Sequence, residues 1–339
     1  MTLSVPSARS PTVFDVLVRD LIDGQEMDQV LLVRGVEMRT KRDGARFLKL
    51  VLGDRTGQLT AMVWERVPDV RELCQPGVAV RVTGRFEMHS RWGAQVTLRS
   101  LGRAKPGTFV AADLVDGPPR PAETMEADLR QLVATVQEPH LRALLDRVLG
   151  PQTPTWELYR RAPAAKLYHQ AYIHGLLEHC LTVAQGVALM AGTFPGIDRD
   201  VAVAGALLHD IGKLEAYTAD PSAIDLTDAG RLHGEIPLGY YRIRRAIEDV
   251  PGFPPEKAQA VLHVILSHHG SLEHGSPVVP CTREAWLVHM IDNLGGKLGS
   301  FDRLEKALPP GATWTSFDRG VGASAYFGRL SDEAEQRAA

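Results

Sequence analysis

Leu207-Leu208-His209-Asp210-Ile211-Gly212-Lys213 decides how the rest of the chain is read. It closes an apolar run, Val201 to Leu208, whose alanines and valines predict a buried helix of at least two turns. At the tip an imidazole and a carboxylate stand side by side. Both can reach one divalent cation if the tip faces a polar cavity. Gly212 then allows a backbone turn that other residues resist. A His-Asp pair alone occurs by chance in many proteins, so its weight comes from its surroundings.

Those surroundings repeat the pattern. His179 lies in the helical string Gly175-Leu-Leu-Glu-His-Cys-Leu-Thr-Val-Ala. His268-His269 closes a helix that starts near Pro254-Pro255 and ends at Gly270. Asp292 lies in a further helix with Thr282 as its N-cap. Apolar neighbours flank each of these polar residues, which predicts that each points inward. A buried ionisable group without a partner costs several kcal/mol, roughly. Several such groups on separate helices therefore point to convergence on metal. His268 and His269 diverge by about 100° on an ideal helix, so one can face a metal while the other faces substrate or a second ion. A core or capping role for one of them is the plain alternative. His169 and His174 divide between pocket wall and ordinary surface. His89, His140, His263, His274 and His289 read as packed or solvated.

The order His179, His209-Asp210, Asp292 resembles the HD phosphohydrolase superfamily. The wider strings are more specific: Ala164-Ala-Lys-Leu-Tyr-His169, Gly175-Leu-Leu-Glu-His179, Leu208-His-Asp-Ile-Gly-Lys213, Ser267-His-His-Gly270, Glu273-His-Gly-Ser-Pro277 and Ile291-Asp-Asn-Leu294. Together they resemble the HD-domain 3′–5′ exoribonucleases with an N-terminal OB-fold, the YhaM family, from about residue 13 to 305. The resemblance implies metal ligation by His179, His209, Asp210, His268, His269 and Asp292, with Asp210 bridging two ions. It implies catalytic roles for Asp210, Lys213 and His269, Lys213 contacting a substrate phosphate; a solvent-facing lysine is the alternative. The implied cofactor is a divalent cation, one or two ions, Mn²⁺ first with Co²⁺, Fe²⁺ and Mg²⁺ open. The implied reaction shortens single-stranded RNA from its 3′ end, with single-stranded DNA also open as substrate.

Two departures stand out. The family usually has a Gly-His-Ile string whose histidine helps hold a second metal, whereas this chain reads Leu232-His233-Gly234-Glu235-Ile236. Either Glu235 ligates in place of that histidine, or His233 substitutes, or the second site is lost. Gly295-Gly296 stands where the family commonly has Asp-Ala.

At 339 residues the chain exceeds one typical domain. Its net charge of −3 says nothing by itself about nucleic acid. Cys74, Cys180 and Cys281 form no CxxC, which argues against a disulfide framework or zinc ribbon and fits a reduced compartment. No secretory segment follows Met1 and no apolar run approaches membrane length, so a cytoplasmic location away from membranes is expected.

The expected organisation is multidomain: an N-terminal OB-fold β-barrel followed by an all-α HD domain. Residues 1–12 read as a flexible tail, 13–105 as the OB nucleic-acid-binding domain, 106–155 as linker and connecting helices, 156–305 as the HD domain and 306–339 as a C-terminal tail. That tail packs on its own domain or on a neighbouring subunit, leaving a homo-oligomer open. In the barrel, strands are expected at Val30–Met38, Phe47–Leu52, Gln58–Trp64, Val78–Gly84 and Ala94–Leu98, with a helical turn at Val67–Leu73. Positive charge gathers there: 16 Lys/Arg against 12 Asp/Glu between residues 13 and 105, but 12 against 15 between 160 and 300. Arg39, Lys41, Arg42 and Arg46 cluster at one hairpin, with a solvated β-turn as the plain alternative. Trp64, Phe86 and Trp92 either stack on bases or fill the core. Cations with aromatics suit single strands bound with little sequence preference. Two other classes compete: an HD phosphohydrolase of mononucleotides or cyclic nucleotides, and a non-catalytic single-strand-binding protein.

Overall fold

The computed structural model describes residues 16–41, 43–89, 93–115, 117–118, 120–165, 170–218, 224–306, 308 and 312–328. The proposed tail at 1–12, and Arg42, Trp92 and His169 among the candidate residues, lie outside the described residues. Two compact units divide between residues 116 and 117.

The first unit is a closed five-stranded barrel: β1 (Glu26–Thr40), β2 (Arg46–Gly53), β3 (Gln58–Val63), β4 (Ala79–His89) and β5 (Gly93–Arg103). A helix, α1 (Val67–Leu73), connects β3 to β4. Around the barrel the order is β1-β2-β3-β5-β4, with β4 pairing back onto β1 and β3 meeting β5 in parallel. That is OB-fold topology. Alternation builds it: Leu48, Leu50 and Leu52 of β2, Leu59 and Ala61 of β3, and Val80 and Val82 of β4 all point inward. Each large aliphatic side chain buried this way stabilises the fold by about 1.5–3 kcal/mol. Asp54 organises the β2–β3 turn: its Oδ1 accepts from Thr56 N (2.7 Å) and Gly57 N (3.1 Å), its Oδ2 from Val18 N (2.6 Å). A short helix, α2 (Ala111–Leu114), follows the barrel.

The second unit is helical: α3 (Ala122–Ala134), α4 (Pro139–Leu149), α5 (Pro154–Arg161), α6 (Gly175–Ala191), α7 (Arg199–Leu208), α8 (Lys213–Ala216), α9 (Asp228–His233), α10 (Glu235–Glu248), α11 (Pro255–Ser267) and α12 (Arg283–Lys306). The helices read from sequence as connectors belong to its core. Met125 and Leu129 of α3 and Leu141, Leu144 and Leu145 of α4 join one apolar cluster with α6, α7, α11 and α12. The Arg130 guanidinium lies over the Trp156 ring, 4.0 Å from its centroid, and ties α3 to α5. Residues 312–328 pack on α12 of the same unit: Arg303 Nη2 donates to Asp318 Oδ2 (2.7 Å) and Lys297 Nζ to the Gly320 carbonyl (2.7 Å). Among the described residues no helix is long and apolar enough to cross a membrane.

Candidate metal centre and barrel surface

α7 is the axis of the site. Asp198 caps its start, accepting from Asp200 N and Val201 N (3.1 Å each). Every residue from Val201 to Leu208 is buried, so the helix tip delivers His209 and Asp210 into the interior. The chain then turns at once, because Gly212 lies against the first turn of α10. A Cβ there would sit 1.9 Å from the Glu235 carbonyl oxygen. That close approach brings Glu235 beside the His-Asp tip.

Three other helices complete the cluster. His179 comes from α6, Asp292 from the middle of α12, and His268 from the end of α11. His179 Nε2 lies 3.2 Å from His209 Nε2, 3.3 Å from Asp210 Oδ2 and 3.1 Å from Asp292 Oδ1. His209 Nε2 is 3.4 Å from Asp210 Oδ2 and 3.9 Å from Asp292 Oδ1. His268 Nε2 approaches Asp210 Oδ1 at 3.5 Å. All are buried except Asp292, whose side chain is 18% exposed and opens the cluster towards solvent.

The tandem histidines diverge as helical geometry requires. His269 turns away from Asp210 towards Glu235, with Nε2 3.7 Å from Oε1. His233 is exposed at the end of α9, so Glu235 rather than His233 stands next to the histidine pair. His174, an undecided candidate, caps structure instead: its ring Nδ1–H donates to the Arg160 carbonyl (2.6 Å). Lys213 is not a solvent-facing lysine. Only 13% of its side chain is exposed, and Nζ donates to Asp210 Oδ2 at 2.6 Å.

Charge is balanced tightly here. Burial opposes ionisation of Asp210, but Lys213, His209 and His179 hold its carboxyl well below the usual range. Burial likewise opposes ionisation of Asp292, and the His179 hydrogen bond overcomes it and lowers the pKa. Burial alone would lower the His179 pKa, yet Asp210 and Asp292 raise it to about 9. Burial, with the neighbouring His268, keeps the His269 pKa below the ordinary imidazole value.

The donor set fits a divalent cation. His179, His209 and Asp292 bring ligand atoms within 4.8 Å of one another. Asp210 Oδ1 and His268 Nε2 are buried without a hydrogen-bond partner. A buried polar atom left unsatisfied costs about 1–3 kcal/mol, and a cation between these two atoms would satisfy both.

Three neighbours escaped sequence reasoning. Cys180 lies with His209 and Asp210 in a second group of close donor atoms, and burial pushes its thiol pKa up. His289, read as packed or solvated, donates from Nδ1 to the His268 carbonyl (2.7 Å). Gln170 faces His179. Only the adjacency of Cys180 to His179 was visible in the sequence.

On the barrel, Trp64 is 52% exposed and stacks on Phe47, with centroids 4.6 Å apart and planes 27° apart. Lys41 Nζ lies over Trp64, 4.4 Å from its centroid. Arg46 lines an adjoining cleft with Met38, Arg71 and Gln75. Arg39 is paired with Glu37 (2.6 Å). Phe86 does not stack on the surface: at 2% exposure it fills the barrel core, because its position in β4 points inward.

An HD turn with acids and imidazoles converging from neighbouring helices, in a chain that also carries an OB barrel, defines an HD-domain protein. The HD domain family matches residues 176–296. The 3′–5′ exoribonuclease YhaM of Geobacillus sp. (strain WCH70) is 31% identical over 290 residues, spanning 85% of this chain and 87% of that protein. The same-named protein of Bacillus subtilis (strain 168) is 29% identical over 289 residues, 85% of this chain and 90% of its own length. The chain therefore belongs to the YhaM family. Among solved structures, the second OB-fold domain of replication protein A from Methanococcus maripaludis matches 27% of this chain and 95% of its own, at 17% identity and a TM-score of 0.21. The OB assignment rests on the strand order, not on that likeness.

Proposed function

We propose that the protein is a metal-dependent 3′–5′ exoribonuclease that hydrolyses phosphodiester bonds of single-stranded RNA, with single-stranded DNA as a second substrate. The observation that carries the reading is the cluster of buried donor atoms, with Asp210 Oδ1 and His268 Nε2 facing each other at 3.5 Å and neither making a hydrogen bond. Family membership supplies the polarity and the RNA substrate: the relatives are named 3′–5′ exoribonucleases.

His179, His209, Asp210 and Asp292 would hold the first ion; Asp210, His268, His269 and Glu235 would hold a second. A mixed imidazole and carboxylate set suits Mn²⁺, Co²⁺ or Fe²⁺, with Mg²⁺ as the harder alternative. When bound, such an ion lowers the pKa of a water and offsets charge on the phosphoryl oxygens. The protein's own groups do the positioning. Lys213 neutralises Asp210 and keeps it ionised inside an apolar core. His269, held neutral by burial, presents an imidazole at the more exposed side of the cluster. Asp292 stands at the opening.

The barrel supplies the grip. Trp64 on Phe47, with Lys41 above it, offers a stacking face beside a cation, a combination that tolerates any base. A small phosphodiester has no need of such a surface, which favours a polynucleotide substrate over a mononucleotide. The test is incubation of the pure protein with 5′-labelled single-stranded RNA and DNA plus Mn²⁺. The reading expects a labelled ladder that shortens from the 3′ end. Immediate release of the labelled 5′ nucleotide, or no cleavage of either strand, would overturn it.

A further inference from the structure

The three buried histidines of the centre are oriented in two ways. His209 donates from Nδ1 to the Ala206 carbonyl (2.7 Å), and His268 from Nδ1 to the Ile265 carbonyl (2.8 Å). Each leans on its own chain three residues back, so its orientation follows from the end of its helix. His179 sits within α6, and its Nδ1 faces a side chain instead: Gln170 Oε1 at 3.1 Å.

Gln170 reaches that position at a conformational cost. Its φ is +57°, and His174 in the same turn has φ +69°, both in a region that residues with a Cβ rarely occupy. The turn is clamped on several sides. The Gln170 carbonyl accepts from Ala164 N (3.0 Å), and the His174 ring donates to the Arg160 carbonyl (2.6 Å). Gly175 lies so close that a Cβ there would sit 2.0 Å from the Gln170 oxygen. Backbone strain held in place by this many contacts, next to a cluster of functional groups, calls for a role.

We infer that Gln170 is a positioning residue for the metal centre: its carboxamide oxygen fixes the His179 tautomer that offers the Nε2 lone pair to the cation. The chemistry runs one way only. With the oxygen facing Nδ1, the imidazole proton sits on Nδ1 and Nε2 is free to ligate. A donor in that place would force the proton onto Nε2 and remove the ligand. Outer partners of metal-ligating histidines typically contribute 10–100-fold in affinity, a scale of about 10–100.

The inference rests on the metal centre proposed above, so the test reads metal affinity as well as rate. Mn²⁺ is titrated into the full-length wild type, Gln170→Leu, Gln170→Lys and Gln170→Glu, with free Mn²⁺ followed by electron paramagnetic resonance. The rate on single-stranded RNA is then measured at saturating Mn²⁺. Gln170→Leu should weaken Mn²⁺ binding about 10–100-fold, with kcat at saturating metal nearly unchanged. Gln170→Lys, a donor in place of an acceptor, should lose more. Gln170→Glu keeps an acceptor oxygen and should restore affinity to near wild type, which separates orientation from mere filling of space if the leucine variant folds poorly. Wild-type affinity in Gln170→Leu, or equal losses in the leucine and glutamate variants, would overturn the inference alone. A wild type that binds no Mn²⁺ would overturn it together with the metal centre.

Discussion

The barrel and the helical unit handle charge in opposite ways. In the barrel the ion pairs lie on the outside: Arg81 with Asp28 at 2.7 Å, Arg99 with Glu26 at 2.6 Å, Arg39 with Glu37 at 2.6 Å, all substantially exposed. Exposed pairs of this kind contribute about 0–1 kcal/mol and are screened by salt. In the helical unit His179, His209, Asp210 and His268 are buried inside a core of leucine, valine and alanine. Buried charge is costly unless it is compensated, and here the compensation is mutual. One unit thus offers an exchangeable surface, suited to a substrate that must slide. The other offers a fixed centre, suited to chemistry at one bond.

The sharpest way to break this contrast is to remove the central charge. Asp210→Ala should lower turnover by about three orders of magnitude or more, as for removal of one member of a catalytic unit, and should release bound Mn²⁺. It also strands Lys213, so the metal-free protein should lose roughly 3–5 kcal/mol of stability, visible as a lower midpoint in urea. Turnover and metal content both at wild-type level would show that the cluster is only structural.

Glu235 tests the far side of the centre. Glu235→Ala should lower activity roughly 10–100-fold, the scale of a removed metal contact, while leaving one Mn²⁺ bound. Glu235→His should keep activity but shift preference towards Co²⁺, a borderline ion that favours nitrogen. If His233→Ala is the damaging change instead, Glu235 is not the ligand. Metal stoichiometry beside the rate in each ion separates the cases.

The barrel should respond differently in kind. Trp64→Ala should cost about 1–3 kcal/mol of oligonucleotide affinity, the value of one stacked base, with hydrolysis of a small phosphodiester unchanged. Lys41→Ala and Arg46→Ala should each reduce the salt slope of binding by about 0.7. Equal loss on both substrates in the tryptophan variant would remove the division of labour between the units.

Proton competition tests the helical centre through pH. The His179 pKa is raised to about 9 in the metal-free fold, above an unfolded value near 6.5. Its stabilising contribution is therefore complete below about pH 6.5 and is lost as pH rises through about 9. The metal needs the neutral imidazole, so apparent Mn²⁺ affinity should rise across that same window while the melting temperature of the metal-free protein falls by a few degrees. A flat affinity profile would mean that His179 carries no competing proton.

Much of this contrast is legible in the sequence, though not all of it. Short apolar, β-branched segments between turn signals such as Asp43-Gly44, Asp54 to Gly57 and Pro76-Gly77 mark the five strands, and apolar neighbours mark His179, His209, Asp210 and Asp292 as inward-facing. The ends are harder. Gly84 looks like the end of a strand, yet β4 runs on to His89: Gly84 pairs with Leu98, and the extra residue at the register shift is Arg99 of β5. Phe86 keeps the inward phase of Val80 and Val82 along β4 and is buried for that reason. The role of α3 and α4 was hidden because a helix joining a core looks the same in sequence as one that merely connects. The sequence does not single out Gln170, and His289 reads there only as packed or solvated: each meets its partner through tertiary contact or a left-handed turn that no local pattern specifies.

The central claim is that the charged cluster inside the helical core is a metal centre that cleaves the strand. Removing all divalent cations by chelation and adding Mn²⁺ back stepwise, with bound metal and RNA hydrolysis measured on the same samples, tests it most directly. The account predicts no hydrolysis in the chelated protein and a rate that climbs in proportion to occupancy up to one or two ions per chain. Hydrolysis that persists at full rate after chelation, with no Mn²⁺ taken up on add-back, would contradict it.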